Sequence, residues 1–139
     1  VKRLETKTNK TGFTLIELLV VIAIIGLLAS IVLLALNSAR AKSRDATRLA
    51  DVREFATAME LYYNDSNSYP ATLAALAPNY VGVIPSAPTP VDGNCSTSQN
   101  TFTYSQLTSG ASYSLTFCLG GLTGGFAAGL HTASPTGII

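Results

Sequence analysis

Residues 18–36 run without a charge or a proline, and Leu, Ile, Val and Ala fill every position except Gly26 and Ser30. A helix rises about 1.5 Å per residue, so this run predicts a helix matching the ~30 Å hydrocarbon core of a bilayer. The pattern changes at Asn37. From there Leu49, Val52, Ala56, Met59 and Tyr63 recur at alternating three- and four-residue spacing, with Phe55 and Tyr62 widening the stripe. Arg48, Asp51, Arg53, Glu54 and Glu60 fall mostly away from that stripe. One helix is therefore expected to continue to about Asn64, apolar on all sides in its first half and amphipathic in its second. The amphipathic part is too short to favour a coiled coil. Its stripe is expected to pack on the chain's own sheet.

Turn formers and a proline, from Asn64 through Pro70, end the helix. Residues 72–76 predict one short helix before Pro78, and Pro85, Pro88 and Pro90 predict an extended connector that no sheet interior would accept. Two strands follow. Residues 102–106 alternate aromatic and polar side chains, and residues 112–119 place Tyr113, Leu115, Phe117 and Leu119 on one face, with Cys118 on the other. Thr108, Ser109 and Gly110 supply the hairpin turn between them. Five glycines between Gly120 and Gly129 predict loops, bulges or an edge there.

Charge sharpens this division. The chain has 139 residues, room for one domain and an appendage, and only 12% of them are charged. All 9 Lys and Arg lie at or before Arg53, while Asp92 is the only formal charge after Asp65. A neutral, hydroxyl-rich second half argues against nucleic acid as a partner, because that affinity rests on cations neutralising phosphates. Arg40, Lys42, Arg44 and Arg48 cluster just past the apolar run. They are expected to form a solvated or headgroup-facing collar, or to pair with Asp45, Asp51 and Glu54 of neighbouring copies.

An ordinary single-pass anchor would explain the apolar run, and a secretory signal would explain part of it. The run is longer than a signal's usual core, although Ala39-Arg40-Ala41 offers an A-x-A pattern. Neither explains Glu17, an acid at the edge of the run; a carboxylate inside a membrane helix is costly and usually functional. Basic residues flank both sides, so the positive-inside rule leaves orientation open.

Gly12-Phe13-Thr14-Leu15-Ile16-Glu17, preceded by a short basic leader and followed by the apolar run, resembles the prepilin signal of type IV pilins and of the related pseudopilins of type II secretion. The segment from Leu61-Tyr62-Tyr63 through Tyr69-Pro70 resembles the helix exit of the same families. The resemblance implies cleavage by prepilin peptidase between Gly12 and Phe13 and methylation of the new amine on Phe13. Gly12 would let the protease approach the backbone closely. Glu17 would then pair with the Phe13 amine of a neighbouring subunit during assembly, against the plainer reading of an acid paired locally at the interface. The resemblance also implies a cytoplasmic leader, a single pass through the inner membrane with the head outside, and later an extracellular filament. Many family members carry a mid-helix proline where this chain has Leu34, so a proline kink is not expected, and Gly26 is the weak point left. Gly26 and Ser30 form a small-xxx-small pair that allows close helix approach. Val1 reads as an alternative start codon written literally, with the leader complete.

Cys95 and Cys118 are the only cysteines, either bridged or left as two free thiols. A bridge would enclose 22 residues and contribute roughly 3 kcal/mol. The resemblance favours it, since many type IV pilins tie the C-terminal region to the sheet this way. Calcium needs several oxygen ligands, and the head offers Asp92 and Asp65; the major pseudopilin typically carries a calcium site, so this scarcity favours the pilin. His131 has no acid or thiol near it in sequence and reads as structural or surface. No nucleophile–base pair, phosphate loop or metal-ligand spacing is present, so no catalysis, metal or cofactor is expected.

The sequence thus predicts an α+β, pilin-like, lollipop-shaped fold, with one long N-terminal helix packed on a small antiparallel sheet. Its expected parts are a leader (1–12), a transmembrane and assembly helix (13–36), an amphipathic continuation (37–64) and an exported head (65–139). The expected function is structural: a homo-oligomeric subunit of a type IV pilus-like surface filament, handled by prepilin peptidase and an assembly platform. The alternatives are a pseudopilin of type II secretion and an anchored binding module that never polymerises.

Overall fold

A computed structural model of the chain describes residues 12–139. The leader expected before Gly12, including Val1, lies outside the described residues. The chain divides into two units, Val1–Asn37 and Ser38–Ile139.

Helix α1 spans Leu15–Ser66. No proline interrupts it, and the expected stop near Asn64 falls within its last turn. Asn67 leaves the helix in the left-handed region (φ 53°) and donates its N–H to the Tyr63 carbonyl at 2.7 Å. Asn tolerates that conformation better than most side chains, which makes it an effective helix terminator.

Within the first unit, every described residue is exposed, and the helix contains an 18-residue window of mean hydropathy 3.2. That stretch is long and apolar enough to cross a membrane. Ser30 turns its hydroxyl back to the Gly26 carbonyl at 2.9 Å, satisfying its polar group inside the helix.

In the second unit α1 packs on a four-stranded antiparallel sheet of consecutive order: β1 (Thr103–Leu107), β2 (Ser112–Leu119), β3 (Gly129–Ser134) and β4 (Gly137–Ile138). The α+β class follows. Register in the first hairpin runs from Thr103 opposite Thr116 to Leu107 opposite Ser112. Thr108, Ser109 and Gly110 make the turn, all three at positive φ. The strand expected at 102–106 begins one residue later, and the short helix expected at 72–76 is a 3-10 turn, Leu73–Leu76. Residues 81–96 form no strand, in keeping with Pro85, Pro88 and Pro90.

The core joins Leu49, Val52, Phe55 and Met59 of the helix to Tyr113, Leu115, Phe117 and Leu119 of β2. Two details of the expected stripe change. Ala58 is buried while Ala56 is only half-buried, and Arg48 belongs to the buried face at 1% exposure. Arg48 sits one step before Val52 in the same three-four rhythm; only its charge argued for solvent. Two strands were not anticipated at all. Residues 129–138 show weak alternation, and β3 forms because β2 offers it an edge, with Leu115 opposite Ala133 and Leu119 opposite Gly129. His131 lies on β3 and contacts the carbonyls of Ala127 (2.8 Å) and Ile139 (3.3 Å), beside Phe117 and Phe126.

Candidate functional site

The chemistry at the start of α1 is local. Thr14 is the residue before the first helical position, and its backbone N–H and its hydroxyl both donate to Glu17 Oε2, at 2.8 and 2.7 Å. In return the Glu17 N–H reaches the Thr14 hydroxyl oxygen at 3.3 Å. This is a capping box: Thr-x-x-Glu satisfies two amide donors that a helix start would otherwise leave bare. The acid also sits at the positive end of the helix dipole. Glu17 Oε1 has no partner among the described residues.

Thr14 is the residue missed by sequence reasoning here, although the Thr-x-x-Glu spacing ahead of an apolar run carried the signal. Phe13 is 87% exposed. A Cβ at Gly12 would meet nothing within 4 Å. No contact inside the described chain therefore demands glycine there. From Leu18 to Leu36 the helix is apolar on every side and exposed on every side. Such a surface is stable only when lipid or other helices cover it.

The second unit holds a buried charge network that anchors the helix to the connector and the sheet. Asp45 and Arg48 are 2% and 1% exposed and pair at 2.8 Å. Asp92 closes the network from the connector. Arg44 grips it with two bonds, through Nε at 2.7 Å and Nη2 at 2.5 Å, and Arg48 Nη1 reaches it at 3.2 Å. Arg48 spends its remaining donors on the carbonyls of Pro88 and Pro90 and on Asn100 Oδ1. Asp45 accepts the N–H groups of Gly120 and Gly121, both at 2.9 Å. Every buried charge is thus paired and hydrogen-bonded, the condition under which burial is tolerated. Hydrogen bonds from Arg44, aided by Arg48, hold the Asp92 carboxyl below the ordinary carboxylate range against the opposing effect of burial.

This network corrects the collar expected of Arg40, Lys42, Arg44 and Arg48 at its last two members. Arg44 and Arg48 face carboxylates of their own chain, and Asp45 is committed internally rather than to a neighbouring copy. The signal was available: a single carboxylate in an otherwise neutral half asks for a cation. The disulfide joins the same region. Cys95 and Cys118 are bonded, with Cα atoms 5.9 Å apart. Gly93 and Gly120 stack their backbones so closely that a Cβ on Gly93 would fall 1.9 Å from the Gly120 oxygen. Among the described residues no three His, Cys, Asp or Glu side chains converge as metal ligands.

Residues 7–33 match the family described as the prokaryotic N-terminal methylation motif. The chain is 44% identical over 68 residues to the type IV wide pilus major component PilA4 of Thermus thermophilus, covering 49% of this chain and 52% of that protein. It is 38% identical over 66 residues to the type II secretion system core protein G of Aeromonas hydrophila, covering 48% and 46% of the two chains. Against the fimbrial protein EcpC of Eikenella corrodens it is 45% identical over 71 residues, covering 50% and 45%. The matches thus span about half the length of these curated relatives.

Proposed function

We propose that this chain, a member of the type IV pilin and pseudopilin family by its methylation motif and its relatives, is a structural subunit of a type IV pilus-like surface filament. The observation that carries the reading is Glu17, an acid at the head of a helix whose residues 18–36 are apolar and exposed on every side. Prepilin peptidase cuts between Gly12 and Phe13, and the new amine on Phe13 is methylated. Until assembly the chain sits in the inner membrane, with residues 13–36 spanning it and the head outside.

The capping box gives Glu17 two roles in sequence. In the membrane, Thr14 satisfies Oε2 and lowers the penalty of holding an acid at the edge of the lipid. On assembly Oε1 accepts the Phe13 ammonium of a neighbouring copy, and the pair neutralises charge where the dielectric is low. The apolar surface then exchanges lipid for neighbouring helices, and the assembly platform drives the subunits outward.

The type II secretion core protein G relatives favour a second reading, a pseudopilin of a secretion machine. Shearing cells separates the two. Filaments should contain this subunit at the mass of a chain beginning with N-methyl-Phe13, and Glu17→Ala should be processed yet yield few filaments. Absence of the chain from sheared filaments, with loss of protein secretion on its deletion, would establish the pseudopilin instead. Normal filaments from Glu17→Ala would remove the role given to the carboxylate.

A further inference from the structure

Arg40, Lys42, Asp51, Arg53, Glu54, Glu60 and Asp65 of α1 lie outside the buried network. Three of them, Arg40, Asp51 and Glu54, share one side of the helix, while Lys42 and Arg53 point to the other. Among the described residues, Arg40 makes no ion pair, and neither do Asp51 and Glu54. Arg40 and Glu54 are exposed and Asp51 is half-exposed. At 3.6 residues per turn, Asp51 lies about three turns beyond Arg40 and Glu54 about four, which places all three on one side of the helix. That separation is about 16–21 Å along the axis, too far for pairing within one rigid helix. Ser43 and Thr47 occupy the same side between them, and Thr47 folds its hydroxyl onto the Ser43 carbonyl at 3.0 Å. Arg44, one turn after Arg40, is drawn off this side by its two bonds to Asp92.

We propose that Arg40 of one copy of this chain pairs with Asp51 and Glu54 of a second, parallel copy displaced by about 16–21 Å along the helix axis. The contact rests on the filament reading above and adds the register at which two copies meet. A cation and two anions on one helix face, offset by whole turns, are complementary to a shifted copy of themselves. A lipid surface would satisfy Arg40 and repel both acids. The geometry is heterologous, since one patch meets a different patch, and a parallel shift repeats without closing. Such a contact builds an open filament rather than a dimer. Burial and the nearby Glu54 carboxylate push the Asp51 carboxyl above its ordinary value.

Charge exchange tests the contact in cells that make the filament. Arg40→Glu alone and Asp51→Arg/Glu54→Arg together should each lower the yield of sheared filaments about fivefold or more, by the loss of about 1 kcal/mol per exposed pair. Combining all three changes should return the yield to within about twofold of the original, on the same estimate. A second measurement is independent of charge. Copies carrying Arg40→Cys and copies carrying Glu54→Cys, expressed together, should be joined into dimers by a short bismaleimide in intact filaments. Full yield from Arg40→Glu, no recovery in the triple exchange, or filaments without the cross-linked dimer would each overturn the contact while leaving the filament reading in place. Absence of filaments from the unmodified chain would remove that reading and the contact with it.

Discussion

Asp45→Asn probes the buried charge network most directly, because it keeps the side chain's shape and removes only charge and one acceptor. Asp45 Oδ1 serves Arg48 and the Gly120 N–H, and Oδ2 serves the Gly121 N–H. In the variant, one of these oxygens becomes an amide nitrogen that presents hydrogens to a donor. Arg48, 1% exposed, keeps Asp92 at 3.2 Å, Asn100 and the two proline carbonyls, so its charge is weakened in company rather than stranded. Breaking a buried pair costs about 3–5 kcal/mol, and an orphaned buried amide about 1–3 kcal/mol. With Asp92 retained, a net loss of about 3–5 kcal/mol is expected. For a unit of this size each kcal/mol lowers Tm by about 4–8 °C, so the midpoint should fall by at least about 12 °C. The assay is thermal unfolding of the full chain in detergent, with the disulfide intact, followed by the near-ultraviolet dichroism of the buried tyrosines. A loss below about 1 kcal/mol would refute the reasoning, since it would mean that water or rotation satisfies what the geometry says is enclosed. Adding Arg48→Met removes the undercompensated cation and should cause less further loss than Arg48→Met does alone; strict additivity would show that the two residues are not coupled.

Two further tests concern the same unit. Replacing Cys95 and Cys118 by Ser opens a bridge between residues 23 apart in sequence, and should lower unfolding stability by about 3 kcal/mol in denaturant titration; an unchanged midpoint would show that the charge network alone holds the connector. The pH profile should fall at both ends. Asp92 titrates below its ordinary 3.8 when folded, so its contribution is complete above that value and lost as pH falls through the lowered one. Tyr113 and Tyr104 are both raised to about 12, chiefly by burial. Their protonated forms favour the fold, so stability is complete below the ordinary 10.0 and lost as pH rises towards 12. Tyrosinate absorbance from these two rings should therefore appear above the ordinary 10.0 in the folded chain, and their ionisation at 10.0 would contradict their burial.

The elements legible in the sequence are those whose signals are local. An uninterrupted apolar run, a three-four stripe and a turn cluster with Pro70 determine α1, because helical hydrogen bonds join residues four apart and need no distant partner. Strict alternation likewise determines β2, and the Thr108–Gly110 turn fixes its pairing with β1. Gly12, Phe13 and Glu17 are recognisable for the same reason: a motif is a short sequence, and Thr14 could have been read with them. The tertiary structure decided the rest. β3 and β4 lack a pattern of their own and exist because β2 supplies an edge. The charge network draws Asp45 and Arg48 together with Asp92, Asn100 and Gly120–Gly121, partners 44 to 76 positions apart. Sequence alone assigned Arg44 and Arg48 to solvent or headgroups, or to the acids of neighbouring copies. Only the folded chain encloses them, and a buried charge is stable only where the fold has already brought its counter-charge.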